Sequence, residues 1–177
     1  MTDIFTQCFT LVIGHEGGFD TTAADPGNWT GGIIGVGKLR GTNWGISAGA
    51  YPNLDIAALT LAAAQAIYHA DYWGRLQADS LPPALALLVF DAGVNNGVGQ
   101  AIHWLQTAAG TPSDGVLGPA TLAAVAQVDV HSLCAEFQAQ RLTAMASLPG
   151  WRVFGLGWAR RLCQLPYQSL TLEHPNA

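Results

Sequence analysis

Charge is scarce in this chain. Only 11% of its 177 residues are Asp, Glu, Lys or Arg, and seven basic residues face twelve acidic ones, for a net charge of −5. Without a basic surface the chain has no electrostatic means of holding nucleic acid. The same sign gives no pull toward an anionic polymer, so binding to one has to come from local groove contacts. Cysteine is also sparse: Cys8, Cys134 and Cys163 are odd in number and widely spaced. They make neither a disulfide framework nor a zinc pattern, and read as packed thiols of a reducing compartment. Long apolar runs are missing too. Stretches such as Ala84–Phe90 are too short to cross a bilayer, which predicts no membrane insertion. Met1-Thr2-Asp3-Ile4 puts no basic residue ahead of its apolar positions, so it does not read as a signal peptide. What is abundant is apolar. Half of the residues are hydrophobic, which excludes disorder and suffices for one domain or for two small lobes sharing a core.

The apolar positions follow a helical period over most of the chain. Phe5, Phe9, Val12 and Glu16 are spaced by four, three and four, which puts all four on one helical face. Thr2 or Asp3 can cap the start of this helix, and Gly17 or Gly18 can end it in the left-handed conformation. From Gly18 to Tyr51 no period is sustained, and an irregular segment of this length in a compact domain is usually functional. Within it, Gly31–Leu39 predicts a weak hairpin. Thr60 caps a helix through about Trp73, Pro82-Pro83 opens one through about Asn96, and Val98–Ala109 follows after Gly97. Pro119 begins another helix, two more are predicted near Val130–Ser147 and Gly150–Tyr167, and Thr171–Ala177 reads as a disordered tail. The fold class expected is mainly α, with a small β-like element near the front.

Three places carry candidate chemistry. Glu16 sits where the apolar stripe runs out, at the negative end of a helix dipole and partly desolvated, and both effects raise a carboxyl pKa. A carboxyl kept protonated near neutrality serves as a general acid. A half-exposed glutamate in a frayed last turn fits the same position. Asp25-Pro26-Gly27-Asn28 is a strong turn signal and needs no further role to explain it. It follows Glu16 by nine residues, however, close enough to return across the helix end. Gly41-Thr42-Asn43-Trp44-Gly45-Ile46-Ser47 combines a hydroxyl, an amide and an indole in a run that reads poorly as core. Sugar clefts use such groups, an aromatic face for the ring and small polar groups for the hydroxyls.

Several residues have plainer readings. His15 points away from the Glu16 face, and His69, His103, His131 and His174 share no ligand spacing, so no metal and no cofactor are predicted. Asp91 and Asn95, one turn apart in an apolar helix, read as a buried polar pair that fixes packing. Trp151, Phe154 and Trp158 read as core, and Arg160 and Arg161 as a solvated face.

Taken in order, Glu16-Gly17-Gly18, Asp25-Pro26-Gly27, Thr42-Asn43-Trp44-Gly45-Ile46, Ala66-Ile67-Tyr68 and Asp71-Tyr72-Trp73 resemble glycoside hydrolase family 108, the phage and bacterial N-acetylmuramidases of lysozyme-like fold. The second half resembles the peptidoglycan-binding module usually attached to that family. It does so through Phe90-Asp91-Ala92-Gly93-Val94-Asn95-Asn96-Gly97, Leu105-Gln106 and Asp114-Gly115-Val116-Leu117-Gly118-Pro119-Ala120-Thr121. The resemblance runs from about residue 8 to residue 170. Three departures stand out: Gly27-Asn28 replaces the usual double glycine, a glycine-rich insertion separates Asp25 from Thr42, and Ser47 stands where a threonine is common. The resemblance implies a lysozyme-like catalytic lobe over 1–80, a helical peptidoglycan-binding lobe over 81–170 and a tail over 171–177.

It also implies cleavage between N-acetylmuramic acid and N-acetylglucosamine. Glu16 would be the catalytic acid and Asp25 and Thr42 its partners in a Glu-Asp-Thr arrangement, with Asn43, Trp44 and Tyr72 as substrate contacts. The expected partner is bacterial peptidoglycan, together with a phage lysis or secretion system that delivers the protein. It would be made in the cytoplasm without a signal peptide and act in the periplasm or cell wall. A lytic transglycosylase and a non-catalytic wall-binding module are the alternatives. Asp25 favours hydrolysis, because a carboxylate that holds water has no place in ring closure.

Overall fold

The computed structural model describes residues 3–14 and 18–173. Its contacts divide the chain into two compact units, Phe9–His69 and a second made of Met1–Cys8 with Ala70–Ala177. This division falls at 69/70 instead of 80/81, and it groups the first eight residues with the C-terminal part.

The first helix, α1, spans Ile4–Ile13. Asp3 caps it by accepting from the backbone N–H of Thr6 at 2.8 Å and from the Thr6 hydroxyl at 2.9 Å. Phe9 and Val12 are buried on the expected stripe. The helix stops earlier than the sequence suggests, because Gly14 takes a left-handed φ of +84° while its N–H still bonds to Thr10. A glycine adopts that conformation without strain, so of the glycines in this run the earliest ends the helix. The described part of the expected stripe therefore ends with Val12. Glu16 itself, with His15 and Gly17, lies outside the described residues, as does the Gly17 stop.

In the Phe9–His69 unit the long segment closes on itself through short pieces. Gly31–Leu39 does not form strands; it is a turn-rich loop held by Thr30 N–H to Lys38 O at 2.9 Å and Gly31 N–H to Val36 O at 3.1 Å. Its glycines leave little for a ladder to pack on. The small sheet lies further on, where β1 (Thr42–Asn43) pairs antiparallel with β2 (Ile46–Ser47). Trp44 and Gly45 join them with φ of +53° and +74°, the two positive values that a tight hairpin turn requires. Thr60 then caps α2 (Leu61–Tyr68) through a bond from Ala63 N–H at 3.2 Å. Phe9 meets Tyr68 edge to face at 5.4 Å in the core of this unit. The helix expected to run on to Trp73 widens instead into a π-helical turn over His69–Trp73.

The other unit is built around α3 (Pro83–Asn96), which is buried continuously from Ala84 to Gly93. A helix apolar on every side has to be surrounded. It contacts α4 (Val98–Ala108), α6 (Val130–Ala146) and α7 (Trp151–Glu173), while α5 (Pro119–Val125) is a short helix begun by its proline. Phe5, Trp73 and Phe90 form a cluster of edge-to-face contacts at 5.4–6.1 Å.

Polar residues pin these helices. Asp91, fully buried, accepts from Arg141 at 2.6 Å and from Arg161, and Asn95 donates to the Asp91 carbonyl at 2.8 Å. Arg161 is thus an ion-pair partner, not part of a solvated face. Gln106 is buried and closes the 114–121 loop. Its amide nitrogen donates to Asp114 at 2.7 Å, Val116 O at 3.0 Å and Thr121 at 3.1 Å, and its oxygen accepts from Gly115 N–H at 2.9 Å. Asp114 also accepts from Val116 N–H; these bonds hold its carboxyl below the ordinary value.

Helix α7 continues through Pro166, beyond the expected end near Tyr167, so Thr171–Glu173 are helical and not tail. Pro166 has no N–H to give to Leu162 four residues earlier; the side-chain amide of Gln138 supplies that bond at 3.1 Å. The aromatic row on α7 is only partly core: Phe154 is 58% exposed, while Trp151 and Trp158 are half-buried. Residues 174–177 lie outside the described part. None of the described helices is long and apolar enough to cross a membrane.

The cysteines differ in environment. Burial pushes the Cys8 thiol up to about 12, whereas Cys163 is exposed on α7 and so is not a packed thiol. Since the thiolate is the reactive form, native protein at pH 8 is expected to label quickly at Cys163 and not at Cys8. Peptide mapping after brief alkylation checks this, and equal modification of Cys8 would contradict the burial.

Candidate active site

The irregular segment of the Phe9–His69 unit holds two of the three expected catalytic residues. Asp25 has an extended backbone and caps the short 3₁₀ turn Pro26–Asn28, its Oδ1 accepting from Gly27 N–H at 2.8 Å. The Asp-Pro-Gly run explains the geometry, since proline fixes the first turn position and aspartate bonds back to the backbone two residues on. Asp25 is exposed, and among the described residues its Oδ2 has no hydrogen-bond partner. Thr42 lies half-buried at the start of β1.

Asn28 joins the two. It is fully buried, its N–H donates to the Asp25 carbonyl at 3.2 Å, and its side-chain oxygen accepts from the Thr42 hydroxyl at 2.7 Å. The amide orientation is fixed on its other side, where Nδ2 donates to Asp20 Oδ2 at 2.8 Å and to Thr22 O at 3.1 Å. The backbone carbonyl of Asn28 accepts from both Arg40 and Gly41 N–H groups, at 2.9 and 3.0 Å. Thr42 has one hydroxyl proton and gives it to Asn28, so its oxygen is left to accept from a water or a substrate hydroxyl. The position that looked like a departure from a double glycine is the hub of the loop.

Asp20 is the second residue missed from sequence. Its backbone exchanges two hydrogen bonds with Thr42, at 2.9 and 2.8 Å, and pins the two segments side by side. Its carboxylate accepts from the Thr22 hydroxyl, the Asn28 amide and Thr22 N–H, and these bonds hold its pKa below the ordinary 3.8. A lowered carboxyl stabilises the fold fully above its unfolded value, and that contribution fades as pH falls through the folded value. The loop therefore loosens only in acid, below about pH 4. Only an Asp-x-Thr turn signal was available to point to Asp20.

The expected substrate contacts are placed differently from one another. The Asn43 side chain is buried and donates to the carbonyls of Ile56 at 3.1 Å and Leu59 at 3.4 Å, so it anchors the 56–59 segment. Trp44 is half-buried at the hairpin turn, where its carbonyl accepts from Tyr68 Oη at 3.1 Å. A Cβ on Gly45 would lie 2.6 Å from that same hydroxyl. Tyr72 is half-buried in the π-helical turn of the other unit. No three His, Cys, Asp or Glu side chains gather into a metal site among the described residues.

The exposed Asp25 carboxylate has one free oxygen and the Thr42 oxygen is free to accept, and Asn28 ties the two backbone segments together. The model of the glycosyl hydrolase 108 family matches residues 9–97, half of the chain, and covers this whole network. The chain belongs to the glycosyl hydrolase 108 family. The structure of SagA from Brucella abortus is similar over nearly its full length, with 28% identity, 96% of this chain and 95% of that one covered, and a TM-score of 0.78. No protein of curated function matches. The mainly α, lysozyme-like fold expected from the sequence is thus the fold observed, and the matched region is that of a glycoside hydrolase.

Within this family domain Asn28 is the residue whose loss should unsettle the site most. Asn28→Ala leaves Asp20, Thr22 and Thr42 each short of a partner, and an unsatisfied group in such a place costs on the order of 1–3 kcal/mol. A lower melting temperature is expected together with slower glycan cleavage. Unchanged melting would show that the network does not hold the loop.

Proposed function

We propose that the chain is an N-acetylmuramidase that hydrolyses the bond between N-acetylmuramic acid and N-acetylglucosamine in bacterial peptidoglycan. In this reading Glu16 protonates the departing glycosidic oxygen. Asp25 Oδ2 takes a proton from the attacking water, Thr42 Oγ1 accepts a hydrogen bond from the O–H that the water keeps, and the hydroxyl adds to the anomeric carbon on the face opposite the leaving group. Atoms balance: one proton goes to the leaving sugar, one to Asp25, and the hydroxyl to the new reducing end. The observation that supports the reading is the Asn28 hub, which bonds to the Thr42 hydroxyl and to the Asp25 backbone carbonyl within a glycosyl hydrolase family domain.

Water between acid and base requires inversion, with carboxyls roughly 6.5–9.5 Å apart. Proton NMR of the anomeric signals early in the reaction tests this. The inverted anomer is expected first, and retained configuration would overturn the water-placing roles. Residues from about Pro82 onward are proposed to contact peptidoglycan without performing chemistry; the 114–121 motif itself is occupied in closing its own loop on Gln106. The site of action is proposed to be the periplasm or cell wall, reached through phage lysis or a secretion machine.

A further inference from the structure

A cavity of about 400 Å³ opens beside the Asp20–Thr42 pairing in the Phe9–His69 unit, and the catalytic reading leaves it unused. Its walls include Phe19 and Thr21, which flank Asp20, and Leu39 and Arg40, which lead into Gly41 and Thr42. Gly41 packs closely behind this wall. At φ +84° it has no side chain, and a Cβ there would lie 2.8 Å from the Phe19 ring and 2.9 Å from Thr21 Cγ2.

Two opposite charges line this cavity without pairing. Arg40 is half-buried and its guanidinium has no side-chain partner among the described residues, and Asp55, in the same lining, accepts only from Ala58 N–H, at 3.3 Å. No ion pair joins them, although both face the same space. The rest of the lining includes the half-exposed Phe19, the buried Ile56 and the polar Asn53. Unpaired charges of both signs on one cavity match a ligand that carries both signs. Guanidinium takes carboxylate in a planar, charge-assisted pair, and a lone carboxylate takes ammonium.

We propose that this cavity binds the zwitterionic head of an amino acid, carboxylate on Arg40 and ammonium on Asp55, with its aliphatic stem against Phe19 and Ile56. Resting on the peptidoglycan reading, the source is a diamino acid in the peptide stem, whose second amino-acid head is free wherever the stem is not cross-linked. The cavity would then make the protein sensitive to the state of the stem beside the glycan bond it cuts. The chemistry also fits a free amino acid, and the test separates the two sources.

Calorimetric binding to the whole protein supplies the test, with three probes: a disaccharide-peptide bearing a free diamino-acid head, the same fragment N-acetylated on that ammonium, and the disaccharide alone. Acetylation and Arg40→Gln are each expected to weaken the first probe on the order of tenfold or more. Asp55→Asn should remove the sensitivity to acetylation, and Arg40→Gln should leave the disaccharide unaffected. Free diaminopimelate binding as tightly as the fragment would assign the site to a free amino acid and overturn the stem proposal. Equal affinity for the acetylated and free fragments, or an equal loss of disaccharide binding, would make this an ordinary sugar-contacting surface and also overturn it. Binding is read apart from cleavage. A protein that cuts glycan yet ignores the ammonium contradicts this inference alone, whereas one that cuts nothing contradicts the muramidase reading.

Discussion

Glu16→Gln is expected to leave the melting temperature of the protein unchanged and to lower glycan cleavage by roughly 10²–10⁴-fold, the contribution of a positioned general acid. Glutamine keeps the size and polarity of the side chain and removes only the transferable proton. The departing sugar oxygen would then have to leave as an alkoxide. Binding to insoluble peptidoglycan should survive, since the acid contributes to the transition state more than to the ground state. The paired measurements are turbidity clearance of cell-wall suspensions and sedimentation with the same material. Clearance at the parent rate by the purified variant would remove Glu16 from the chemistry, whatever its neighbours do.

The largest expected stability loss lies in the other unit. Asp91→Ala strands Arg141, which is 1% exposed and loses the carboxylate it meets at 2.6 Å. Removing one partner of a buried pair costs about 3–5 kcal/mol, because the survivor stays charged and desolvated. Burial already pulls the Arg141 pKa down, and Asp91 is what opposes that shift. For a chain of this length the melting temperature should fall by roughly 10 °C. Arg161→Gln is the contrast: that side chain is 40% exposed, so its pair with Asp91 is screened and its loss should cost below about 1 kcal/mol. Thermal melts of both variants check the pair. Similar losses for the two would mean that burial does not decide the strength of this cluster.

Local signals were legible wherever they act over one turn. Asp3, Thr60, Pro83, Gly97 and Pro119 bound helices because caps and prolines need nothing beyond their neighbours. Gly14 was misread for the same local reason: several glycines follow one another, and sequence alone does not say which one turns left-handed. The sheet was missed because its turn puts Trp44 at φ +53°, a conformation that tryptophan does not advertise.

The segment from Asp20 to Thr42 divides along the same line. Asp25 and its turn were visible, but Asn28 gains its meaning from partners eight and fourteen residues away, and Arg161 from one seventy residues away. The 31–39 run reads as a weak hairpin, and its glycines leave too few side chains to sustain the strands. Pro166 was expected near a helix end, and it stays inside α7 because a glutamine from α6 satisfies the carbonyl that it orphans.

Mass spectrometry of the fragments released from purified peptidoglycan tests the central claim most directly. Hydrolysis with Asp25 and Thr42 holding water predicts disaccharide-peptides that end in reducing N-acetylmuramic acid, each heavier by one water than an anhydro product and absent from a Glu16→Gln digest. Anhydro-muramyl ends would show ring closure without water, and no release at all would leave a wall-binding module; either result contradicts the muramidase reading.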